Sequence, residues 1–394
     1  MCGDACIDPG HDPANCGGCG HACGATCRAG ACTAVRALSL GGQHSVALLD
    51  DGTAAVWGYD GFGQLADGAN QKRSVPFLLP DPTTLVVASA GRTHTCFATA
   101  LGVSCAGDNA FGQLGDSLDP SSSVPLAIPG LPGVTALAAG GRHTCALGAD
   151  GAVSCWGWNA NGQVGDGTLG ALRPAPVKVP GISGAAEITA GASHTCARLA
   201  AGAVRCWGGD RDGQLGDGGS SSRPSPVEVA GLGAATSIAA GARHTCAVID
   251  DGTVRCWGAP LGQSPDAGPA PAPGDAGRAD GGSRPTTLVV VSGLAGATRV
   301  AAGDGHACAL LTDGTVRCWG AGEKGQLGDG ASRSSPAPVA ASGVAAAVEI
   351  AAGGDHTCAR LADGSALCWG AGAAGEIGDG ATAGRASPVP VLWQ

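Results

Sequence analysis

The stretch Ala139-Gly140-Gly141-Arg142-His143-Thr144-Cys145-Ala146-Leu147-Gly148-Ala149-Asp150-Gly151-Ala152-Val153-Ser154-Cys155-Trp156-Gly157 decides how this chain folds. An Asp-Gly step between two runs of alternating small and apolar residues is a strong local signal for a hairpin. Downstream, Gly162-Gln163-Val164-Gly165-Asp166-Gly167 reads as a tight turn, because glycine reaches positive φ at little cost. Pro226-Val227-Glu228-Val229, at the end of the next copy, reads as a peripheral strand with proline where no ladder donor is needed. The run from Thr236 to Gly241 supplies a short strand of small side chains, suited to a crowded axis.

The same order returns once per histidine, at His44, His94, His143, His194, His244, His306 and His356. A period of about fifty residues belongs to repeat folds with one small sheet per unit. Four strands in each of seven copies predict an all-β, seven-bladed β-propeller of four-stranded blades. An open solenoid needs polar capping units, which neither end supplies. Closure is expected from the tail Pro388-Val389-Pro390-Val391-Leu392-Trp393 pairing with residues from Val35 to Leu40. The ring occupies residues 35–394, with an insert at about 259–283 rich in Pro, Ala, Gly and Asp. Residues 1–34 form a Cys-rich, disulfide-linked segment ahead of it.

Together, the His-Thr-Cys block, the Asp-Gly hairpin, Cys-Trp-Gly and Gly-Gln-Leu-Gly-Asp-Gly resemble the regulator-of-chromosome-condensation repeat across residues 36–394. That resemblance implies a propeller with a central channel and fixes no single activity. Its members include a chromatin-bound exchange factor, a plant ultraviolet photoreceptor and a secreted bacterial inhibitor of β-lactamase. Trp57, Trp156, Trp207, Trp257, Trp319 and Trp369 recur at one place in six copies, with Ala106 in the second. Such repetition fits packing between blades better than a chromophore.

Composition narrows the function. The chain has 394 residues, 71 of them glycine, which argues against long helices. With 44% hydrophobic and 14% charged residues it is not a disordered chain. Net charge is −10 and no run of Lys and Arg appears, so a nucleic-acid footprint is not expected. No apolar stretch reaches transmembrane length.

Nineteen cysteines point to an oxidising compartment. Twelve form the pairs Cys96/Cys105, Cys145/Cys155, Cys196/Cys206, Cys246/Cys256, Cys308/Cys318 and Cys358/Cys368; the first copy has Val46 and Val56 instead. Such spacing puts the two cysteines opposite each other across a short turn, within disulfide range, with buried free thiols as the alternative. The other seven, Cys2, Cys6, Cys16, Cys19, Cys23, Cys27 and Cys32, crowd the head, where Asn15-Cys16-Gly17-Gly18-Cys19-Gly20-His21-Ala22-Cys23 reads as disulfide-linked, with zinc the alternative. This head resembles Cys-rich modules of secreted or surface proteins of myxobacteria. The resemblance implies export and surface attachment.

No other cofactor or metal is expected. The repeat histidines read as structural, each hydrogen-bonding a neighbouring backbone group or Asp. Asp166, Asp217, Asp329 and Asp379, with Arg173, Arg223, Arg284, Arg333 and Arg385 at a similar stage of five copies, read as an Arg–Asp contact or a carbonyl clamp between blades, with ligand binding as the alternative. Copy-specific residues after the Trp-Gly step are the binding candidates: Tyr59, Phe62, Asn109, Phe111, Trp158, Asn159, Arg211, Asp212, Glu323 and Lys324. The reading that follows is a secreted or surface-displayed scaffold of bacterial origin that binds a protein partner. Its alternatives are an enzyme, a lyase or hydrolase at the channel mouth, and a structural envelope protein.

Overall fold

A computed structural model describes residues 26–28, 31–80, 84–116, 120–261 and 288–393. Seven four-stranded antiparallel sheets follow one another along the chain, each with its strands in sequence order. In the third blade these are Val134–Ala139, His143–Gly148, Val153–Gly157 and Arg173–Lys178. The first strand of each blade lies innermost and lines a central channel, and the fourth lies outermost. The protein is therefore an all-β, seven-bladed propeller.

In six blades the central hairpin holds a disulfide. Cys96 is bonded to Cys105, Cys145 to Cys155, Cys196 to Cys206, Cys246 to Cys256, Cys308 to Cys318 and Cys358 to Cys368. Each pair stands directly opposed in the ladder, with Cα atoms 4.0 to 4.1 Å apart, so the alternative of buried free thiols falls. Thr312-Asp313-Gly314 forms the three-residue turn of the sixth blade, with Gly314 at φ 76°. The second blade keeps its opposition with a two-residue turn at Ala100-Leu101. Val46 and Val56 oppose each other in the first blade and are fully buried.

These cysteines belong to the core and not to any site. Cys206 packs in one inter-blade cluster with Leu215 and Trp257, Cys256 in another with Val300 and Trp319, and Cys368 in a third with Ile377 and Trp57. Each therefore staples its own hairpin and also fills the seam toward the next blade.

Packing between blades is a lock of tryptophan against glycine. Trp207 donates from Nε1 to the Gln163 carbonyl of the preceding blade at 3.0 Å. A Cβ built on Gly165 would come within 2.6 Å of that indole nitrogen. Where the second blade has Ala106 instead of tryptophan, the first blade has Ala66 instead of glycine, and both are buried in one cluster. Among the described residues, a methyl group stands at this turn position only where the indole is missing.

The tail does not complete the first blade, contrary to the closure expected from sequence. Arg385–Pro390 pairs with Ala366–Gly370, and Val35–Leu40 pairs with His44–Leu49. Every blade already owns four consecutive strands, so no strand is left to exchange. The ring shuts through contacts between its first and last blades instead. Val35 N–H donates to the Gly364 carbonyl at 2.9 Å, Leu38 N–H to Glu349 Oε1 at 3.2 Å, and Trp393 meets Trp57 edge-on.

Of the Cys-rich head, Thr26–Arg28 pairs with Ala31–Thr33 in a small hairpin, and Cys32 is disulfide-bonded. The Cys16-to-Cys23 run, where disulfides and zinc were the alternatives, lies outside the described residues. So does the insert from residue 262 onward, and with it Arg284.

Candidate binding face and channel

Because strands alternate in direction, the loops joining first to second and third to fourth strands share one face of the ring. All ten candidate residues sit in its third-to-fourth-strand loops. Tyr59 and Phe62 are 36% and 41% exposed, with ring centroids 6.3 Å apart. Phe111 of the second blade and Trp158 of the third lie 5.9 Å apart, and the Arg142 guanidinium stands over both, 4.4 and 5.5 Å from their centroids. Arg142 precedes the repeat histidine, a position the sequence reading passed over because it looked only after Trp-Gly.

Arg211, Glu323 and Lys324 are exposed. Asp212 pairs with Arg243 at 3.7 Å, Lys324 with Asp355 at 2.6 Å, and Glu323 accepts from Ser334 Oγ at 2.5 Å. Asn109 and Asn159 turn inward instead. Their Oδ1 atoms accept from the N–H groups of Leu114 and Val164 at 2.9 and 3.0 Å, so they shape the loop and offer no exposed contact. Asp60 and Asp210 fill the same role toward Leu65 and Leu215. Burial, with the nearby carboxylates of Asp67 and Asp217 adding to it, pushes Asp60 up to about 6 and Asp210 up to about 7.

The basic partners of the loop aspartates belong to the same blade rather than to the next. Arg173 holds Asp166 at 2.5 Å, Arg223 holds Asp217 at 2.7 Å and Arg385 holds Asp379 at 2.5 Å, and Arg73 adds a further pair with Asp67 at 2.6 Å. Each clamps its own loop to its own outer strand. The sixth blade departs from this: Ser335 takes the strand position of the arginine, Arg333 is exposed, and Asp329 accepts from the Ala331 N–H at 3.0 Å.

The repeat histidines are fully or almost fully buried, and their partner is a hydroxyl on the next blade rather than a backbone group or Asp. His44, His94, His143, His194 and His306 bond through Nε2 to Thr95, Thr144, Thr195, Thr245 and Thr357 at 2.8 to 2.9 Å. His356 bonds Ser45 at 3.0 Å. Each hydroxyl donates onward to a loop carbonyl, which in every case but that of Thr95, whose blade carries Ala106, also receives the indole N–H, as Thr144 and Trp156 do at Gln113. The hydroxyl proton being committed, Nε2 must carry the imidazole proton, and Nδ1 is left as an unprotonated nitrogen with no partner. Protonation would bury a charged N–H without an acceptor, and burial holds all seven histidines down at about 3 to 4. At the fifth seam Ala307 replaces the hydroxyl residue, and His244 Nε2 has no partner.

The channel opens on the same face as a cavity of about 260 Å³. Gly42, Arg92, Gly141, Ala192, Ala242, Asp304 and Gly354 occupy one equivalent position around its mouth. The two ions among them, from the second and sixth blades, approach across the opening to 3.7 Å. Among the described residues no cluster of His, Cys, Asp and Glu is arranged to hold a metal ion, and no helix is long and apolar enough to cross a membrane.

Seven sheets locked by His-to-hydroxyl and Trp-to-carbonyl bonds define a repeat propeller whose loops are free to vary. The chain belongs to the regulator of chromosome condensation (RCC1) repeat family, whose two repeat models match residues 51–98, 105–147, 150–198, 201–248 and 313–360, and residues 35–64, 134–163, 185–214, 297–326 and 347–376. It is 32% identical over 197 residues to the mitochondrial RCC1 domain-containing protein RUG3 of Arabidopsis thaliana, covering 46% of this chain and 44% of that protein. It is 31% identical to the ultraviolet-B receptor UVR8 of the same plant, covering 46% and 43%. It thus matches less than half the length of either relative. In structure it is similar to Prp20p of Saccharomyces cerevisiae, described with its binding to Gsp1p and histones, at TM-score 0.72 and 22% identity over 91% of this chain and 87% of that one. Human WBSCR16 gives TM-score 0.70 at 23% identity, over 82% and 85%. At those identities the likeness shows the fold.

These relatives correct the expectation of a secreted, extracellular or surface-displayed protein of bacterial origin. They come from plant, yeast and human, one is mitochondrial and another binds histones. Nothing in them points to myxobacteria. The cysteine count misled because it was taken as a sign of compartment. The paired cysteines occupy the interior of their hairpins: five pairs have no exposure at all, and in the remaining pair only Cys256 is exposed, by 7%. Burial slows thiol–disulfide exchange at such pairs, and their place in the core gives them a packing role of their own.

Proposed function

We propose that the protein is a protein-binding propeller that docks its partner on the face carrying the third-to-fourth-strand loops. The observation that carries this reading is the stack of Phe111, Arg142 and Trp158, flanked by the exposed Tyr59 and Phe62. Aromatic side chains and arginine are enriched at interface centres, where they bury large area at small cost in side-chain entropy. Only 3% of this chain is aromatic, and much of that is tryptophan buried between blades. Four of the remaining rings gather on three adjacent blades of one face.

The family supports the same reading. Yeast Prp20 has been seen with Kap60 bound to it, and its binding to Gsp1p and histones is described. Which partner this chain takes depends on its own loops. The test is cross-linking of the native complex. Cross-links should map to the loops around Phe111 and Trp158, be lost with Phe111→Ala plus Trp158→Ala, and survive Leu101→Ala. Leu101 is 93% exposed on the opposite face. Cross-links centred on that opposite face, unaffected by the aromatic substitutions, would refute the assignment.

A further inference from the structure

Every blade ends in an outer edge strand, and an unguarded edge is a template for pairing with another chain. Six blades guard it alike, with Pro76, Pro125, Pro176, Pro226, Pro338 or Pro388 just before the residue that opposes the second cysteine, or Val56 in the first blade. Val229 turns its N–H inward to the Val204 carbonyl at 3.0 Å, so by alternation an N–H at residue 226 would point out of the sheet. Proline there removes an outward donor at no cost to the ladder. The fifth blade has no such proline. Val289 opposes Cys256, which puts Leu288 in proline's place. Val291 N–H donates inward to the Val254 carbonyl at 2.9 Å, so the N–H and C=O groups of Leu288 and Val290 face outward and enter none of the described bonds. Val289 and Val290 are 59% and 56% exposed, whereas the residues matching Val289 in the other blades are all half-buried. At the place of Val290 two blades carry a charge, Lys178 and Glu228, which also blunts an edge.

We propose that a second copy of the chain pairs on this edge, the two fifth blades joining antiparallel about a twofold axis at Val289. The outward groups at residues 288 and 290 are self-complementary: Leu288 of one copy meets Val290 of the other, and each such pair exchanges both main-chain bonds. The two Val289 side chains then oppose each other at the axis in a non-hydrogen-bonded pair, where side chains approach most closely. Charge selects the same strip. The chain carries a net charge of −10, so two copies repel where acidic surfaces meet, but no charged residue occurs from Leu288 to Thr298. An edge this short buries far less area than a permanent dimer needs, so the association is weak and concentration-dependent. The edge lies on the outer rim, apart from the aromatic face, and the inference does not rest on that reading.

Sedimentation velocity of the whole chain across a concentration series reads the association. The wild-type chain is expected to pass from monomer to dimer as concentration rises. Leu288→Pro writes in the residue six blades carry, so the ring should fold. It removes one donor from each copy and should weaken dimerisation by about tenfold or more. Val290→Lys and Val290→Glu, residues that other blades carry at this place, should each keep the chain monomeric. An equal mixture of those two variants should associate more tightly than either alone. Leu101→Lys, and Phe111→Ala with Trp158→Ala, should leave the dimer unchanged. A wild-type chain that stays monomeric throughout would overturn the proposal and leave the edge to an extended strand of another protein. A dimer indifferent to Leu288→Pro, or lost with the aromatic substitutions, would overturn it too.

Discussion

Ser45 Oγ and His356 Nε2 lie 3.0 Å apart, joining residues 311 apart in sequence. This bond, with Trp57 donating to the Glu376 carbonyl at 2.9 Å, shuts the ring where no strand is exchanged. The same His-to-hydroxyl contact recurs at five of the other seams, so first and last blades meet as most neighbouring blades do. Ser45→Ala should therefore cost about 1–3 kcal/mol, because it strands a buried imidazole N–H. Ser45→Thr, which puts in the residue five other seams use, should cost less. Urea unfolding of the three proteins measures both, and an unchanged Ser45→Ala midpoint would dismiss the closing role.

The fifth seam makes the converse case. His244 faces Ala307, and its Nε2 is buried without a partner. Ala307→Thr should supply the missing hydroxyl and stabilise the ring by about 0.5–1.5 kcal/mol. A loss of stability in the same unfolding experiment would show that this seam is packed differently from the others.

Buried neutral histidines make the ring sensitive to acid. Their pKa values are depressed in the folded chain to about 3 to 4, against an ordinary value of 6.5. The unfolded chain therefore binds more protons between those limits, and stability must fall as pH drops through that window. Seven sites act in the same direction. Circular dichroism should show cooperative unfolding on acidification within it, accompanied by proton uptake. A fold that holds through pH 4 with all seven imidazoles charged would contradict the tautomer assignment.

Asp210 works with the opposite sign. Its folded pKa is raised to about 7, so the folded state holds the extra proton, and stability falls as pH rises from about 4 to 7. The second and third blades use Asn109 and Asn159 at this position. Asp210→Asn should stabilise the protein by roughly 1–3 kcal/mol at pH 8 and by little at pH 4. Thermal melts at both values decide it; equal shifts would mean that no proton is held there.

The blades were legible because their signals are local. Asp-Gly steps, opposed cysteines and the position of each tryptophan all act within or just beside one hairpin. What the sequence reading missed crosses from blade to blade. The residue after each histidine, threonine in five copies, Ser45 in the first and Ala307 in the sixth, faces the histidine of the preceding blade rather than its own neighbour. Those two exceptions turn out to be the closing seam and the defective one. Asn109 and Asn159 looked like recognition residues because they differ between copies, but they share a buried loop position with Asp60 and Asp210, where a side-chain oxygen accepts the same loop N–H. Arg142 went unnoticed because it comes to Phe111 and Trp158 from a different loop.

The binding face is tested most directly by affinity. Once the cross-linked partner is identified, its Kd should be measured against the wild-type chain, Phe111→Ala, Trp158→Ala, Arg142→Ala and Leu101→Ala. Each of the first three substitutions should weaken binding by about tenfold or more, equivalent to at least ~1.4 kcal/mol, while Leu101→Ala leaves it unchanged. Equal affinity across all five proteins, or a loss confined to Leu101→Ala, would contradict the assignment of the partner to this face.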